Sequence, residues 1–243
     1  MSGHSKWATT HRQKSAADAK RGAIFTKLAN LITIAAKEGG TDPNSNFKLR
    51  LAIDKAKTAN VPKDNIERAI SRGAGSSGGG NSFEELTYEI FGPANSAFLV
   101  EAVTDNKNRT VAEVKTTANK NGGQLGGPNS VSWMFERKGF ATINLEGSNL
   151  DKDQLELDLI DAGAQEIDKD NKNWEIISNP EDLQNILQKI KLLEISITDS
   201  GLGYFAKNDL KISSIEEQNK IQSFYDLLDD IGDVTNVYTN ATW

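Results

Sequence analysis

The chain has 243 residues, 37% of them hydrophobic, which is enough to bury a core and favours two or three modest domains over one large domain. It contains no cysteine, which excludes disulfides, thiol nucleophiles and thiolate metal sites, and no apolar run reaches the roughly 18 residues that span a bilayer. The formal charge of −6 conceals two opposite regions: residues 1–80 hold 14 Lys and Arg against 6 Asp and Glu, whereas the remainder holds 14 against 28.

Apolar residues at helical spacing predict three helices in the basic region. The first spans about Ser15–Lys37 and ends at a pair of glycines. The second spans about Asn46–Ala59, and the third runs from Pro62, as a first-turn proline, to Gly73. Residues 72–82 are half glycine, which indicates a flexible linker and the clearest domain boundary of the chain.

Beyond the linker, strands and helices alternate. The pattern predicts strands at Leu86–Phe91 and Ala97–Val103, joined by a Gly-Pro turn. A helix follows from about Thr110 to Asn121, with Thr110 and Glu113 as a capping box. A strand at Val131–Phe135 comes next.

From Phe140 the elements follow the order βαββαβ, which is the order of a ferredoxin-like unit. A final helix at Ser214–Asp230 and a strand at Val234–Tyr238 most simply complete the sheet begun at Leu86, so the unit would be an insertion. The sequence therefore predicts an α+β multidomain fold with a three-helix bundle followed by two α+β domains, the third of them ferredoxin-like (βαββαβ) and inserted in the second. The expected domains are a basic helical domain with its linker (1–80), a middle domain (81–136 plus 204–243) and an acidic domain (137–203).

Catalytic motifs fail on their context. The linker matches a dinucleotide fingerprint at Gly73–Gly78 and a nucleophile elbow at Gly75–Gly79, but both motifs need a strand before the glycines and a helix after them. No Gly-Lys pair exists, and the two histidines, His4 and His11, have no cysteine to complete a metal site. We expect no catalytic residues, no metal and no cofactor; a hidden enzyme is the alternative that a turnover screen would test.

The local excess of positive charge in residues 1–80 points to phosphate binding, since Lys and Arg displace counterions and aromatic side chains stack on bases. The candidates in the first 27 residues are His4, Lys6, Trp7, His11, Arg12, Lys14, Lys20, Arg21 and Lys27. Further along, the surface is extended by Arg50, Lys55, Lys57, Lys63, Arg68 and Arg72. The alternative is that these charges only solvate a helix and that Trp7 fills the core. Lys107 and Arg109 are weaker candidates, because their polar loop needs no binding role to explain it: Asn108 or Thr110 can serve as the cap of the helix that follows.

Several blocks resemble one family. They include Gly3-His-Ser-Lys-Trp7, Asp18-Ala-Lys-Arg-Gly22, the polar loop Thr104–Thr110 and Ser130-Val-Ser-Trp-Met-Phe135. Together they resemble the YebC/PmpR family, which includes the mitochondrial translational activator of cytochrome c oxidase. The resemblance covers essentially the whole chain and implies three domains of the arrangement described above. It implies DNA-binding transcriptional regulation in one line of description and ribosome association in another.

The expected function is therefore non-catalytic regulation of gene expression through nucleic acid, as a DNA-binding transcriptional regulatory protein. The alternative is a ribosome-associated translation factor that binds rRNA. The acidic C-terminal domains would repel a polyanion and are expected to contact proteins. The opening residues lack the apolar region of a secretory signal, although a basic transit peptide fits their composition. We expect a cytoplasmic protein with no membrane partner.

Overall fold

The computed structural model describes residues 18–75, 83–148, 150–170 and 172–243. Its helices are α1 (Asp18–Gly39), α2 (Phe47–Thr58), α3 (Lys63–Gly73), α4 (Lys107–Lys120), α5 (Lys152–Asp161), α6 (Leu183–Leu192) and α7 (Ile215–Asp229). Its strands are β1 (Glu84–Phe91), β2 (Ala97–Thr104), β3 (Gln124–Leu125), β4 (Phe135–Asn144), β5 (Ala164–Lys169), β6 (Asn173–Ser178), β7 (Ser196–Ala206), β8 (Leu210–Lys211), β9 (Val234–Thr239) and β10 (Ala241–Thr242). The fold is α+β and multidomain. One compact unit is Glu136–Phe205, and the other joins Ala206–Trp243 to the described residues up to Phe135.

The helices α1, α2 and α3 share one apolar core. Helix α1 ends where Gly40 adopts a φ of +87°, a left-handed conformation that glycine takes without a Cβ penalty. Helix α2 begins after Asn46, whose side-chain oxygen accepts the N–H of Leu49 at 3.0 Å. The Asn46 amide also donates to the carbonyl oxygens of Ala35 and Gly40, so it fixes the turn between the two helices. The buried core residues include Leu28, Ile32, Leu49, Ile53, Val61 and Ile66.

In the same unit lies a four-stranded sheet of order β3-β1-β2-β9. On one face, Phe98, Val100 and Ala102 of β2 pack with residues of α4 and α7, and the rings of Phe98 and Phe224 meet edge to face at 5.1 Å. Helix α1 contacts β2 and β9. Since α4 and α7 occupy the first face, α1 covers the second, which explains why Leu99 and Val103 are also fully buried.

Polar contacts hold the helices to this second face. The Lys48 ammonium of α2 lies 2.9 Å from a Glu38 oxygen of α1 and 2.7 Å from a Glu85 oxygen of β1. The Lys37 ammonium donates to the carbonyl of Phe83 at 2.8 Å. Helices α1 and α2, which precede the glycine-rich stretch, therefore contact directly the residues that follow it.

In the unit Glu136–Phe205, the elements run β4, α5, β5, β6, α6 and β7, and the strand order is β5-β6-β4-β7. Strand β6 pairs antiparallel with both β4 and β5. Apolar residues of both helices and of the sheet are buried, among them Phe140, Ile143, Leu155, Leu159, Trp174, Ile186 and Ile190.

Two predictions of local structure are wrong. Residues Ser132–Met134 form a 3₁₀ turn and β4 begins only at Phe135, so the strand predicted at Val131–Phe135 is absent. Helix α4 begins at Lys107 and is capped by Asn106, whose side chain accepts the Arg109 N–H. Thr110, predicted as the cap, lies inside the helix and is fully buried.

Candidate nucleic-acid interface

Only some of the nucleic-acid contacts predicted in the first 27 residues fall on residues that the structure describes. His4, Lys6, Trp7, His11, Arg12 and Lys14 lie outside the described residues. Lys20 and Arg21 belong to the first turn of α1. Their proposed roles stay predictions.

Lys27 does not belong to an exposed basic surface. Its side chain is 10% exposed, and its ammonium donates to the backbone carbonyl of Asp229 and lies 3.4 Å from a carboxylate oxygen of the same residue. Asp229 is the last residue of α7, where the helix dipole is negative. Lys27 therefore neutralises a buried helix end, and a buried, paired ammonium cannot reach a phosphate.

Six predicted cations lie on α2 and α3: Arg50, Lys55, Lys57, Lys63, Arg68 and Arg72. Lys57 and Lys63 face carboxylates on their own helices at 3.8 and 3.5 Å, and their side chains are 67% and 87% exposed. Pairs of this kind contribute little to stability, so both ammonium groups can exchange partners for phosphate oxygens. The two helices therefore present exposed, loosely paired positive charge.

The arginines of these helices are held more firmly. The guanidinium of Arg50 lies 5.2 Å from the ring centre of Phe47, and that of Arg72 lies 5.9 Å from the ring centre of Phe83. Arg68 donates to the side chain of Asn65 and to the carbonyl of Asp64. These contacts orient the guanidinium groups, and no carboxylate of the residues that the structure describes forms an ion pair with them.

Lys107 and Arg109 occupy a different setting. An Arg109 nitrogen lies 2.8 Å from Asp233 and 3.1 Å from Asp105, and Lys107 pairs with Glu84. Asp233 also accepts hydroxyl hydrogen bonds from Thr110 and Thr104, at 2.7 and 3.1 Å. Partial burial raises the pKa of Asp233, but the bonds from Arg109 and the two threonines outweigh it and hold that pKa below its ordinary value. These side chains thus form a polar cluster at the surface that joins the start of α4 to the residue before β9.

The sequence indicates a turn at Gly122–Ser130 but does not reveal the anchor of the loop Gly126–Ser132, which is Glu89 of β1. One Glu89 oxygen accepts the backbone N–H of Asn129 at 2.7 Å, and the other accepts those of Val131 and Ser132 at 2.7 and 2.8 Å. Partial burial raises the pKa of Glu89, but the hydrogen bonds from these donors lower it by more. The pKa of Glu89 therefore lies below its ordinary value. Directly after the clamped residues comes Trp133, which is 63% exposed. The glycines and the Ser-Val-Ser run were the only sequence signal for this loop.

Replacing Glu89 by Gln should destabilise the protein by about 2 kcal/mol at about pH 7, because an amide cannot accept three N–H bonds as a carboxylate does. Since the folded-state pKa of Glu89 is lowered from 4.5, the contribution is present above that pH and is lost as the pH falls through the folded-state value. Urea unfolding of both proteins should therefore give free energies of unfolding that converge in acid. Glu113→Gln, an exposed change on α4, is the control, and equal stability of E89Q and wild type at about pH 7 would contradict the clamp.

Other site classes are not seen in the described part of the chain. None of its groups of His, Asp and Glu is arranged to hold a metal ion. Within the same ranges, no helix is both long and apolar enough to cross a membrane.

Comparisons with known proteins place these features in context. Residues 5–76 match a family model described as the TACO1/YebC protein N-terminal domain, and residues 83–241 match one described as the TACO1/YebC second and third domain. A protein of Fusobacterium nucleatum, described as a probable transcriptional regulatory protein, is 43% identical over 99% of this chain and 95% of its own. The probable transcriptional regulatory protein YrbC of Bacillus subtilis is 45% identical over 99% of both chains. The crystal structure of a conserved hypothetical protein of Aquifex aeolicus has a TM-score of 0.86 and 35% identity, covering 98% of this chain and 97% of that one.

Proposed function

Because the chain belongs to the TACO1/YebC family, we propose that it is a non-catalytic regulator of gene expression that binds DNA and regulates transcription. The observation that carries the proposal is the likeness, over almost the whole chain, to bacterial relatives described as probable transcriptional regulatory proteins. Fold alone would not assign this function, because one fold hosts many functions. The physical argument therefore rests on charge.

The distribution of charge supports binding through the first 80 residues. They hold 14 basic against 6 acidic side chains, whereas residues 81–243 hold 14 against 28. At physiological salt the Debye length is about 8 Å, so each region acts through its own field and the net charge matters little. The exposed ammonium groups of Lys57 and Lys63 belong to the basic region.

We propose a three-domain organisation with boundaries at 1–80, 81–136 plus 204–243, and 137–203. The βαββαβ order and the strand order β5-β6-β4-β7 support a ferredoxin-like third domain, and the pairing of β9 with β2 supports its insertion into the middle one. The acidic third domain would face protein partners, since it repels a polyanion. The proposed site of action is the cytoplasm.

One observation keeps rRNA as a second candidate target. Reading of a DNA sequence needs free side chains that reach base edges, and Lys63, Asn65 and Arg68 are the candidates on the short helix α3. Arg68 and Asn65 are hydrogen-bonded to each other, and Lys63, which is only loosely paired with Glu67, offers a point charge that suits a phosphate. This arrangement favours contacts to phosphates over reading of bases, and a ribosome-associated translation factor needs only such contacts.

Binding to duplex DNA should weaken steeply with salt. If about six phosphates are contacted, the slope of log K against log salt is about −5, because each neutralised phosphate releases counterions. Replacing Arg12, Lys14, Lys20 and Arg21 together by Gln should flatten that slope, as measured by fluorescence anisotropy across a KCl series. The matched control replaces Lys152, Lys172, Lys189 and Lys191 of the acidic region by Gln, which should leave the slope unchanged. A salt-insensitive complex would overturn the proposal.

Two experiments in cells distinguish DNA from rRNA as the target. Genome-wide DNA cross-linking should give discrete promoter peaks for a transcriptional regulator. Sedimentation with ribosomes through a sucrose gradient, without enriched DNA sites, would instead establish the rRNA alternative and refute the transcriptional proposal.

A further inference from the structure

Trp133 is an exposed aromatic side chain held in one position. The residue is 63% exposed, although tryptophan is usually among the more buried residues. Its indole N–H donates to the carbonyl of Ser130 at 3.1 Å, and its own carbonyl accepts the Lys207 ammonium at 3.0 Å. The polar edge of the indole is therefore satisfied within the protein, and what remains for a ligand is the face of the ring.

The loop before Trp133 is fixed as well. The Glu89 carboxylate accepts three backbone N–H groups of this loop, those of Asn129, Val131 and Ser132, so the 3₁₀ turn at Ser132–Met134 is anchored to β1. Gly126 lies so close to Ser130 that a Cβ at position 126 would meet the Ser130 hydroxyl at 2.2 Å. A ring on such a turn loses little conformational entropy when it binds a flat partner.

This loop lies on the same face of the sheet as the basic helices. Side chains alternate along β1, so Glu85, Glu89 and Phe91 project from one face. Glu85 contacts Lys48 of α2, and Glu89 follows about 13 Å further along the strand. Phe91, at 45% exposure, is a second accessible aromatic on that face.

The surroundings of Trp133 favour a nucleobase over a protein side chain. Residues 122–134 carry no charge and consist largely of Gly, Asn, Ser and Pro, so small and polar residues predominate in the segment that carries the ring. Protein interfaces bury a contiguous apolar centre, whereas single-stranded nucleic acids stack single bases on isolated aromatic rings. The base must be unpaired, because a base within a duplex already stacks on its neighbours.

We propose that Trp133 is a stacking site for an unpaired nucleobase, with Phe91, on the same face of the sheet, as a second platform. The inference rests on the proposed nucleic-acid-binding function and adds a ligand class that phosphate contacts alone do not specify. The Lys and Arg side chains of α2 and α3 would bind the phosphates of the nucleic acid, and the Trp133 ring would stack on one of its bases. The base comes from RNA or from locally unpaired DNA, and the two sources are separated by the test.

The test measures anisotropy of labelled 12-nucleotide single strands of uniform sequence, as RNA and as DNA, with the full chain. Trp133→Leu should weaken binding about 5- to 100-fold, the range found when one stacking aromatic is removed. Trp133→Phe should retain most of the affinity, since it keeps an aromatic face. Stronger binding of the RNA strand, lost in W133L, would identify RNA as the source of the base; the reverse order would identify unpaired DNA.

Three controls isolate stacking from charge and folding. The salt slope of W133L should equal that of wild type, because no phosphate contact is removed. An oligonucleotide with abasic positions should bind wild type as weakly as it binds W133L. Ile215→Ser, on an equally exposed apolar residue of α7 at 72% exposure, should change nothing.

The outcomes separate this inference from the proposed function. If W133L binds single strands as tightly as wild type, while the substitutions of the basic residues still flatten the slope, the stacking site is refuted and the function stands. If W133L loses affinity for blunt duplex DNA and for single strands equally, the ring serves another role and the inference is also overturned. If wild type binds neither duplex DNA nor either single strand, both the inference and the proposed nucleic-acid-binding function are refuted.

Discussion

Replacing Lys27 by Ala should lower the free energy of unfolding by about 3 kcal/mol, the scale reported for removal of one partner of a buried ion pair. The Asp229 carboxylate would stay buried at the negative end of α7 without the ammonium that faces it. Burial first and then the charge of Asp229 raise the pKa of the nearby Tyr225 phenol, so Tyr225 stays neutral and cannot replace the positive charge. Urea-induced unfolding of the full chain measures the loss.

A double variant distinguishes the pair from loss of packing alone. Lys27→Met combined with Asp229→Leu removes both charges and keeps apolar volume, so it should recover most of the lost stability. Lys57→Ala, whose partner Asp54 is exposed like itself, is the control and should change stability by no more than about 0.5 kcal/mol. A K27A variant as stable as wild type would show that Asp229 does not depend on the pair.

The same residue shows why local sequence reasoning identifies elements better than sites. Lys27 stands among other basic residues, and the sequence therefore predicts an exposed contact. Its partner lies 202 residues further along the chain, and no local pattern links the two positions. Charge density predicts the sign of a region, but tertiary packing decides which member of the cluster is withdrawn from solvent.

The regular elements were predictable because their residues repeat with a fixed period. The apolar spacing of α1 and α2 and the alternation within β1 each follow from one buried face. The 3₁₀ turn at Ser132–Met134 was not predictable in this way, since Val131, Met134 and Phe135 surround an aromatic residue and read as a strand. What prevents the strand is the Glu89 carboxylate, which binds the backbone N–H groups that a strand would offer to a neighbour.

The cap of α4 was misplaced for a related reason. Thr110 and Glu113 have capping-box spacing, but the hydroxyl of Thr110 donates to Asp233. Asn106 caps the helix one turn earlier. A spacing rule cannot distinguish the two positions, because it does not see that Asp233 reaches the loop from the far end of the chain.

Close approach of α3 to α1 at Gly73 predicts a second large effect. A methyl group at residue 73 would lie 2.4 Å from the carbonyl oxygen of Thr33, 2.7 Å from the Ala36 Cβ and 3.1 Å from the Lys37 nitrogen. Two of these atoms belong to the backbone of α1 and cannot rotate away, so the helices must separate. We expect Gly73→Ala to cost about 2 kcal/mol or more, as overpacking of a tight core does.

Gly22→Ala is the matched control, because it is the same substitution in α1 at a position where the new methyl group meets nothing within 4 Å among the described residues. It should stabilise the protein by up to about 1 kcal/mol, since alanine favours the helix over glycine. Thermal unfolding of both variants should therefore move the melting temperature in opposite directions. Since separation of α3 from α1 also displaces Arg68 and Arg72, G73A should weaken binding of duplex DNA while G22A leaves it intact. Equal stability of G73A and wild type would mean that α3 does not pack against α1 at this glycine.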